Sequence, residues 1–330
     1  MIVNILKWII IPLIVCNHMV YGMGYTLTFP RFETIIEQTS TFDKHDIYSI
    51  IESDLILEIS ESTKIQSITV LMPTKESMND TIFQNHGIFL EELKLKSTFL
   101  DGEISIGKLN PQFGMLWGDI PGTWGKQIMA EEYEIVEKIG FEYQHEVNIM
   151  GSNAQTFVSM FKADQSSLGK ESFITNRENH DTITTQTPGL ESYVMGLTGN
   201  REKLNYQIAY RYLAKGNTSY DDSGMLVSMK YQHIISNIAY IPVIEYVDIA
   251  NMSGDSDRVI YTTYGIRIAA NNWNAGISQT NKNVEGSNER QLQATIGIQL
   301  NSEIEGILAM NHMNRPDRTG LGWFLRLKLP

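Results

Sequence analysis

Side chains able to carry out acid–base or metal chemistry are few in this sequence and widely spaced. The one cysteine, Cys16, excludes a disulfide scaffold and a cysteine-rich metal site. The chain has neither a Gly-x-Ser-x-Gly nucleophile motif nor a Gly-Lys-Ser/Thr phosphate-binding loop. The histidines show no metal-ligand spacing; they are His18, His45, His86, His145, His180, His233 and His312. The sequence therefore predicts a protein that is not an enzyme and needs no metal or cofactor.

The composition of the chain narrows its class. Of 330 residues, 42% are hydrophobic and 19% are charged, and the formal net charge is -12. The aromatic content argues against intrinsic disorder, and the acidic balance argues against nucleic acid as a partner. After the N-terminus no apolar run is long enough for a membrane-spanning helix. A β-rich single domain fits these limits.

The first 24 residues form a separate segment. Lys7 precedes an apolar run over residues 8–15, and the small residues Gly22 and Gly24 follow it. This pattern is typical of a secretory signal peptide, since the apolar run is too short to span a bilayer. We predict a signal peptide at 1–24, with an uncleaved N-terminal anchor as the alternative. The remaining chain, 25–330, then contains no cysteine, which suits an oxidising compartment.

Apolar and polar residues alternate along most of the remaining chain. Residues 204–212 and 291–300 show this rhythm clearly, with one face suited to an apolar medium and the other to water. Most such segments have the length of a tilted strand that crosses a bilayer. About sixteen strands are predicted, near 25–37, 51–60, 64–72, 88–100, 103–108, 134–145, 153–163, 190–198, 203–213, 224–235, 238–249, 258–269, 272–280, 290–300, 303–311 and 319–329.

The connections between these segments alternate in length. Short turns such as Asp101-Gly102 alternate with longer stretches, which are 38–50, 73–87, 109–133, 164–189, 214–223, 250–257, 281–289 and 312–318. Short turns at one end and long loops at the other are typical of a membrane barrel, whose closure leaves no backbone group unpaired. The sequence predicts an all-β fold, a transmembrane antiparallel up-and-down β-barrel. A soluble β-sandwich is the alternative, but its strands are usually shorter.

One segment carries a family resemblance. Residues 106–114, Ile-Gly-Lys-Leu-Asn-Pro-Gln-Phe-Gly, resemble a run found in porin-like outer-membrane proteins of Gram-negative bacteria, distantly similar to phosphate-selective porins. Residues 121–125 and 132–140 extend the match. The resemblance implies a channel in the bacterial outer membrane, contact with outer-membrane lipids, and three barrels associated as a homotrimer. The chain end, Leu329-Pro330, departs from the aromatic terminal residue usual in such barrels.

The resemblance also suggests where the lumen narrows. The stretch 109–133 is the third long loop, and in sixteen-strand porins the third loop folds into the lumen. A surface loop at 109–133 is an equally good interpretation. The constriction residues implied are Asp119, Glu131, Glu132 and Glu134. Alternation along the strands places basic candidates on the lumen wall, among them Lys94, Lys96, Lys138, Arg211, Lys230 and Arg267. Inward acidic candidates balance them in number, so the sequence indicates no ion preference.

Three functional hypotheses follow. The first is passive diffusion of small hydrophilic solutes or ions through a water-filled lumen, which sixteen strands are wide enough to hold. The second is a barrel with a filled lumen that serves as a structural or surface-interaction protein. The third is a hydrolase active at the barrel rim, for which His180 beside Asp181 would be the candidate pair. Lone His-Asp neighbours in long loops are usually polar surface, so the third hypothesis is the weakest.

Overall fold

The computed structural model describes residues 26–41, 44–74, 80–116, 120–123, 129–149, 151–164, 189–315 and 317–329. The predicted signal peptide, Asp119 and the His180-Asp181 pair lie outside these residues. No helix among the described residues is long and apolar enough to cross a membrane.

Sixteen long strands form the structure, and the alternation in the sequence predicts nearly all of them. Their bounds are β1 Thr26–Thr41, β2 Lys44–Ser60, β3 Thr63–Pro73, β4 His86–Phe99, β5 Gly102–Leu109, β6 Lys138–Ile149, β7 Ser152–Ala163, β8 Ser192–Arg201, β9 Leu204–Leu213, β10 Asp222–Tyr231, β11 Ile238–Ala250, β12 Arg258–Ala270, β13 Trp273–Val284, β14 Ser287–Gln299, β15 Ile304–Asn314 and β16 Asp317–Leu329. The strand predicted from residue 134 begins later, at Lys138.

The sheet closes on itself. Each long strand pairs antiparallel with its neighbours in sequence, and β1 pairs with both β2 and β16, where Ile35 lies opposite Ile50 and Arg326. The predicted all-β barrel of sixteen strands is confirmed. Two short strands supplement it: Thr81–Ile82 runs parallel to β2, and His233–Ile235 pairs with β11.

The two faces of the wall differ as the alternation predicts. In β9, Ile208 is 50% exposed, whereas its neighbours Gln207 and Ala209 are buried. Leu308 on β15 is likewise exposed between two buried residues. Because successive side chains of a strand point to opposite faces, the exposed apolar side chains lie outside the barrel. The alternating buried positions therefore point inward.

The two ends of the barrel carry different connections. The short-turn end holds the connections 61–62, 100–101, 150–151, 202–203, 232–237, 271–272 and 300–303. The long-loop end holds 74–85, 110–137, 164–191, 214–221 and 251–257, together with three connections of two residues each, 42–43, 285–286 and 315–316.

These last three connections correct the predictions of long loops at 38–50, 281–289 and 312–318. The strands run on through polar residues; Lys282 pairs with Glu289 and Asn283 with Asn288 across β13 and β14. The turn Glu285-Gly286 has positive φ at both residues, as a tight two-residue hairpin requires. Ladder hydrogen bonds join backbone groups whatever the side chains are, so a strand can continue after the apolar alternation stops.

Candidate functional site

The connection 110–137 is here called the inserted loop, and its described residues, 110–116, 120–123 and 129–137, lie inside the barrel. It joins β5 and β6, yet it contacts inward-facing residues on β9 to β14. The backbone N–H of Gly114 donates to Gln207 on β9, and that of Met129 donates to Gln291 on β14 at 2.9 Å. Because β14 is eight strands away from β6 around a closed wall, the loop reaches it through the lumen.

Asn110 closes the neck of the inserted loop. Its side-chain Oδ1 accepts the N–H of Glu137 at 2.7 Å, which joins the first and last residues of the connection. Its Nδ2 donates to Glu91, and its backbone N–H donates to Glu92, both on β4. Asn110 is the asparagine of the Asn-Pro motif, so the motif residue has a defined structural task. Alternation in the strands does not reveal that task, because it depends on a residue 27 positions away.

A single wall carboxylate holds both legs of the inserted loop. Glu245 on β11 accepts the backbone N–H groups of Met115 and Leu116 on the outgoing leg, at 3.2 and 3.4 Å. It also accepts the Tyr133 hydroxyl on the returning leg at 2.6 Å. Glu245 is buried, and neutral donors rather than a cation satisfy it. It was not among the residues predicted for the lumen wall.

Arg211 holds the same two legs from β9. Its guanidinium makes two hydrogen bonds to Asp222, at 3.0 and 2.7 Å, and donates to the Tyr133 carbonyl oxygen at 2.8 Å. It also lies 5.0 Å from the centre of the Phe113 ring on the outgoing leg. The Arg211 and Asp222 side chains are 0% exposed. Arg211 lies on the inner face of β9, but the loop covers it and its charge does not reach water.

The far end of the inserted loop rests on β13. Gly122 has φ +79, and a Cβ there would lie 2.9 Å from the carbonyl oxygen of Gly276. A Cβ on Gly276 would in turn lie 2.5 Å from the Gly122 nitrogen. Backbone meets backbone at this contact, so neither position has room for a side chain.

The returning leg carries the acidic residues predicted for a constriction. Glu132 accepts a hydrogen bond from the Tyr261 hydroxyl at 2.7 Å and from Lys282 at 2.6 Å. Glu131 is exposed. Burial, and then the negative charges of Glu131 and Glu91, raise the pKa of Glu134 to about 8. The Glu134 carboxyl therefore keeps its proton at neutral pH.

Apolar packing supports these polar contacts. Side chains of the inserted loop and inward residues of β7 to β12 form one buried cluster, in which the rings of Tyr133 and Tyr261 lie 4.9 Å apart. The loop members are Phe113, Leu116, Ile120, Met129, Ala130, Tyr133 and Ile135. The wall under the loop therefore combines apolar packing with a few buried, hydrogen-bonded polar side chains, as a protein core does.

The other basic residues predicted for the lumen wall are ion-paired, buried or half-buried. Lys94 pairs with Glu92 at 2.7 Å, and Lys96 pairs with Glu103 at 2.6 Å. Lys138 is buried at the start of β6. Lys230 and Arg267 are half-buried on inward positions near the short-turn end. The structure thus brings Arg211 and Glu245 together, both bonded to Tyr133. Glu132 instead contacts Tyr261 and Lys282, and Glu134 lies near Glu131 and Glu91. The five other basic residues lie apart from Arg211. Among the described residues, no group of three or more acidic, histidine or cysteine side chains is arranged to hold a metal ion.

Comparison with known proteins places this barrel among solved outer-membrane proteins. No family model and no curated protein matches the chain. The structure resembles Salmonella typhi OmpF in complex with daunomycin, at 11% identity and a TM-score of 0.61, covering 94% of this chain and 100% of that chain. It also resembles the outer membrane channel DcaP of Acinetobacter baumannii, at 8% identity and a TM-score of 0.59, covering 94% and 100%. A third similar structure is the anion-selective porin from Comamonas acidovorans, at 12% identity and a TM-score of 0.53, covering 93% and 99%. The resemblance to porin barrels predicted from residues 106–114 is confirmed in the fold.

Proposed function

We propose that the protein is an outer-membrane channel for passive diffusion of small hydrophilic solutes or ions. The observation that carries the proposal is the inserted loop, which is tied to one side of the inner wall. On the other side, charged side chains remain partly exposed: Lys64 is 39%, Lys96 19% and Glu103 33% exposed. Charged groups facing a barrel interior need water, and a hydrated path is what polar solutes require.

The setting of the channel follows from the two faces of the wall. Exposed apolar side chains ring the outside, among them Ile244, Ile277, Ile296 and Leu308. An apolar belt on a closed sheet fits the hydrocarbon of outer-membrane lipids. The proposal includes export by a signal peptide at 1–24 and assembly as a homotrimer, for which a trimer form of Vibrio cholerae OmpT is a structural precedent of the same fold.

Within the channel, the inserted loop would form the constriction. Its returning leg would present Glu131, Glu132 and Glu134 to passing solutes, and Asp119 belongs to the same proposal. Lys94, Lys96, Lys230 and Arg267 would line the wall. Arg211 and Lys138 would act on solutes only indirectly, because both are buried.

A second candidate function has its own observation. On the side away from the inserted loop, Ile307, Ala309 and Phe324 point inward and are buried, and Ile35 packs against them. Buried apolar side chains in a lumen favour a filled interior. The corresponding function is a non-conducting barrel that serves as a structural or surface-interaction protein.

Planar bilayer recording of the folded barrel separates the two candidates. A channel gives discrete single-channel current steps in potassium chloride, whereas a filled barrel gives none at any voltage. Heat-modifiable migration on a gel confirms that the sample is folded before recording. A flat trace from folded protein contradicts the channel proposal. Lipid or peptide hydrolysis that disappears on His180→Ala would instead support the rim hydrolase.

A further inference from the structure

The outer face of the wall changes character toward the long-loop end of β13 to β15. In the middle of these strands the outward side chains are apolar and exposed, among them Ile277, Ile296 and Leu308. Nearer the long-loop end the outward positions become polar, because the strands continue as hairpins after the apolar alternation stops. The outward amides there are Gln279, Asn281, Asn283, Asn288 and Asn314. The border of the apolar belt is therefore a hydrogen-bonding surface on this side of the barrel.

Arg290 is the first charged outward residue beyond this border. It follows the apolar Leu292 on the outer face of β14 and lies opposite Asn281 on β13. Its backbone N–H donates to the side chain of Asn314 on β15 at 2.6 Å. The arginine thus has an amide on each side. Its side chain is exposed, and among the residues that the structure describes no carboxylate lies within ion-pair distance of the guanidinium.

The acidic residues near this end of β13 to β16 are placed elsewhere. Glu289 lies on the inner face opposite Lys282, which bonds to the inserted loop. Glu285 lies in the turn between β13 and β14. Asp317 begins β16 at the tip of the next hairpin, 4.0 Å from His312. A cation flanked by amides therefore lies at the level where the apolar belt ends.

Another outward arginine at the same end of the barrel has a different environment. Arg258 begins β12, and its side chain is 66% exposed. Its guanidinium makes two hydrogen bonds to Asp248 on β11, at 2.8 and 2.5 Å. The protein itself therefore satisfies Arg258, whereas the side-chain donors of Arg290 face outward toward the membrane.

We propose that Arg290 and the amides beside it bind the phosphorylated sugar headgroup of a glycolipid in the outer leaflet of the membrane. Long loops of outer-membrane barrels face the cell exterior, so this border lies in the outer leaflet, where Gram-negative bacteria place phosphorylated glycolipids. Acyl chains against the apolar belt put the headgroup phosphate at the level of Arg290. A guanidinium binds phosphate through two parallel hydrogen bonds, and amides bond sugar hydroxyls. The inference goes beyond the proposed channel and does not depend on conduction.

Titration of the folded barrel with purified lipid A tests the proposal. Lipid A is a phosphorylated, acylated sugar, and native mass spectrometry in detergent counts the bound lipid at each concentration. We expect Arg290→Gln to weaken the apparent affinity by about 10-fold, which corresponds to one lost charge-assisted contact. Arg258→Gln is the matched control, because it removes the same charge from an outward position at the same end, and it should leave the affinity unchanged.

The identity of the ligand is tested separately. Lipid A stripped of its phosphates should bind the wild-type barrel as weakly as intact lipid A binds Arg290→Gln. An excess of inorganic phosphate should not displace lipid A, since it lacks the acyl chains that contact the apolar belt. Displacement by inorganic phosphate would show a site for free phosphate and overturn the proposal.

The variants provide the remaining outcomes. Equal affinities for wild type and Arg290→Gln overturn the proposal, and so do equal losses in the two arginine variants. Loss of oligomers on a native gel for Arg290→Gln, with lipid A binding unchanged, would assign this surface to a second copy of the chain instead. Lipid A binding as expected by a folded barrel that carries no current would contradict the channel proposal alone.

Discussion

The inner wall has two arcs with the same alternation but different chemistry. The arc from β7 to β12 lies under the inserted loop, and the inward residues that the loop covers are apolar or form buried polar contacts such as Arg211 with Asp222. The arc from β2 to β5 carries lysines and glutamates that remain partly exposed. Inward-facing residues of this barrel therefore occupy two different environments. Under the loop they belong to a buried core, where a charged side chain needs a hydrogen-bonded or oppositely charged partner. Elsewhere they face the lumen.

Removing the arginine of the covered arc should have the largest effect. Arg211→Met leaves the Asp222 carboxylate buried without its cation and removes a donor to the Tyr133 carbonyl oxygen. Losing one partner of a buried ion pair costs about 3–5 kcal/mol. We expect a lower urea midpoint of unfolding in detergent micelles and faster proteolysis of the inserted loop. Lys96→Met on the open arc is the control, since a partly exposed pair is worth about 1 kcal/mol or less. Equal losses in the two variants would remove the distinction between the arcs.

Removing the Glu245 carboxylate, which both legs of the loop share, should have the second largest effect. Glu245→Ala leaves the Tyr133 hydroxyl and two backbone N–H groups without their acceptor, at a cost of about 1–3 kcal/mol for each buried group left unsatisfied. Both legs of the loop should loosen, and the single-channel current should become noisier. Glu103→Ala removes a carboxylate from the open arc and serves as the comparison. A quiet, wild-type current from Glu245→Ala would show that the loop is held by its apolar contacts alone.

A substitution at the end of the loop should have a smaller effect. Gly276→Ala places a methyl group against the Gly122 backbone, and overpacking of this kind costs about 1–3 kcal/mol. The far end of the loop should lift from β13 while its neck at Asn110 stays closed, so conductance changes more than stability. Gly306→Ala is the matched control, because a Cβ there meets nothing within 4 Å. Indistinguishable conductance in the two variants would contradict the seating of the loop on β13.

The smallest effect concerns pH. Glu134 has a pKa of about 8 with the loop in place, against an ordinary value of 4.5, so the seated loop binds its proton more tightly than a released loop does. The protection of the inserted loop from proteolysis should therefore be greatest below about pH 4.5 and should decline as the pH rises. Above about pH 8 the protection should reach a constant, lower level. Limited proteolysis across this range measures the decline. Glu134→Gln should flatten it, and a curve identical to wild type would mean that another group is responsible.

Specific residues show how far prediction from the sequence reached. Alternation located Ile208 outside and Arg211 inside, because a strand has only two faces. It did not distinguish Arg211, which is covered, from Lys96, which is partly exposed, since both occupy inward positions. Gln207, Glu245 and Gln291 were missed as loop contacts for the same reason. Their partners lie 93 to 162 residues away along the chain.

The sequence by itself determined most of the strands, their two-face alternation and the barrel class, because a period of two is local and an apolar exterior demands a closed sheet. It did not set the ends of strands, since β13 and β14 continue through polar residues to a two-residue turn. Only the tertiary structure decided which inward residues the inserted loop covers. That choice depends on packing and hydrogen bonds across the lumen, between residues whose local patterns contain no information about each other.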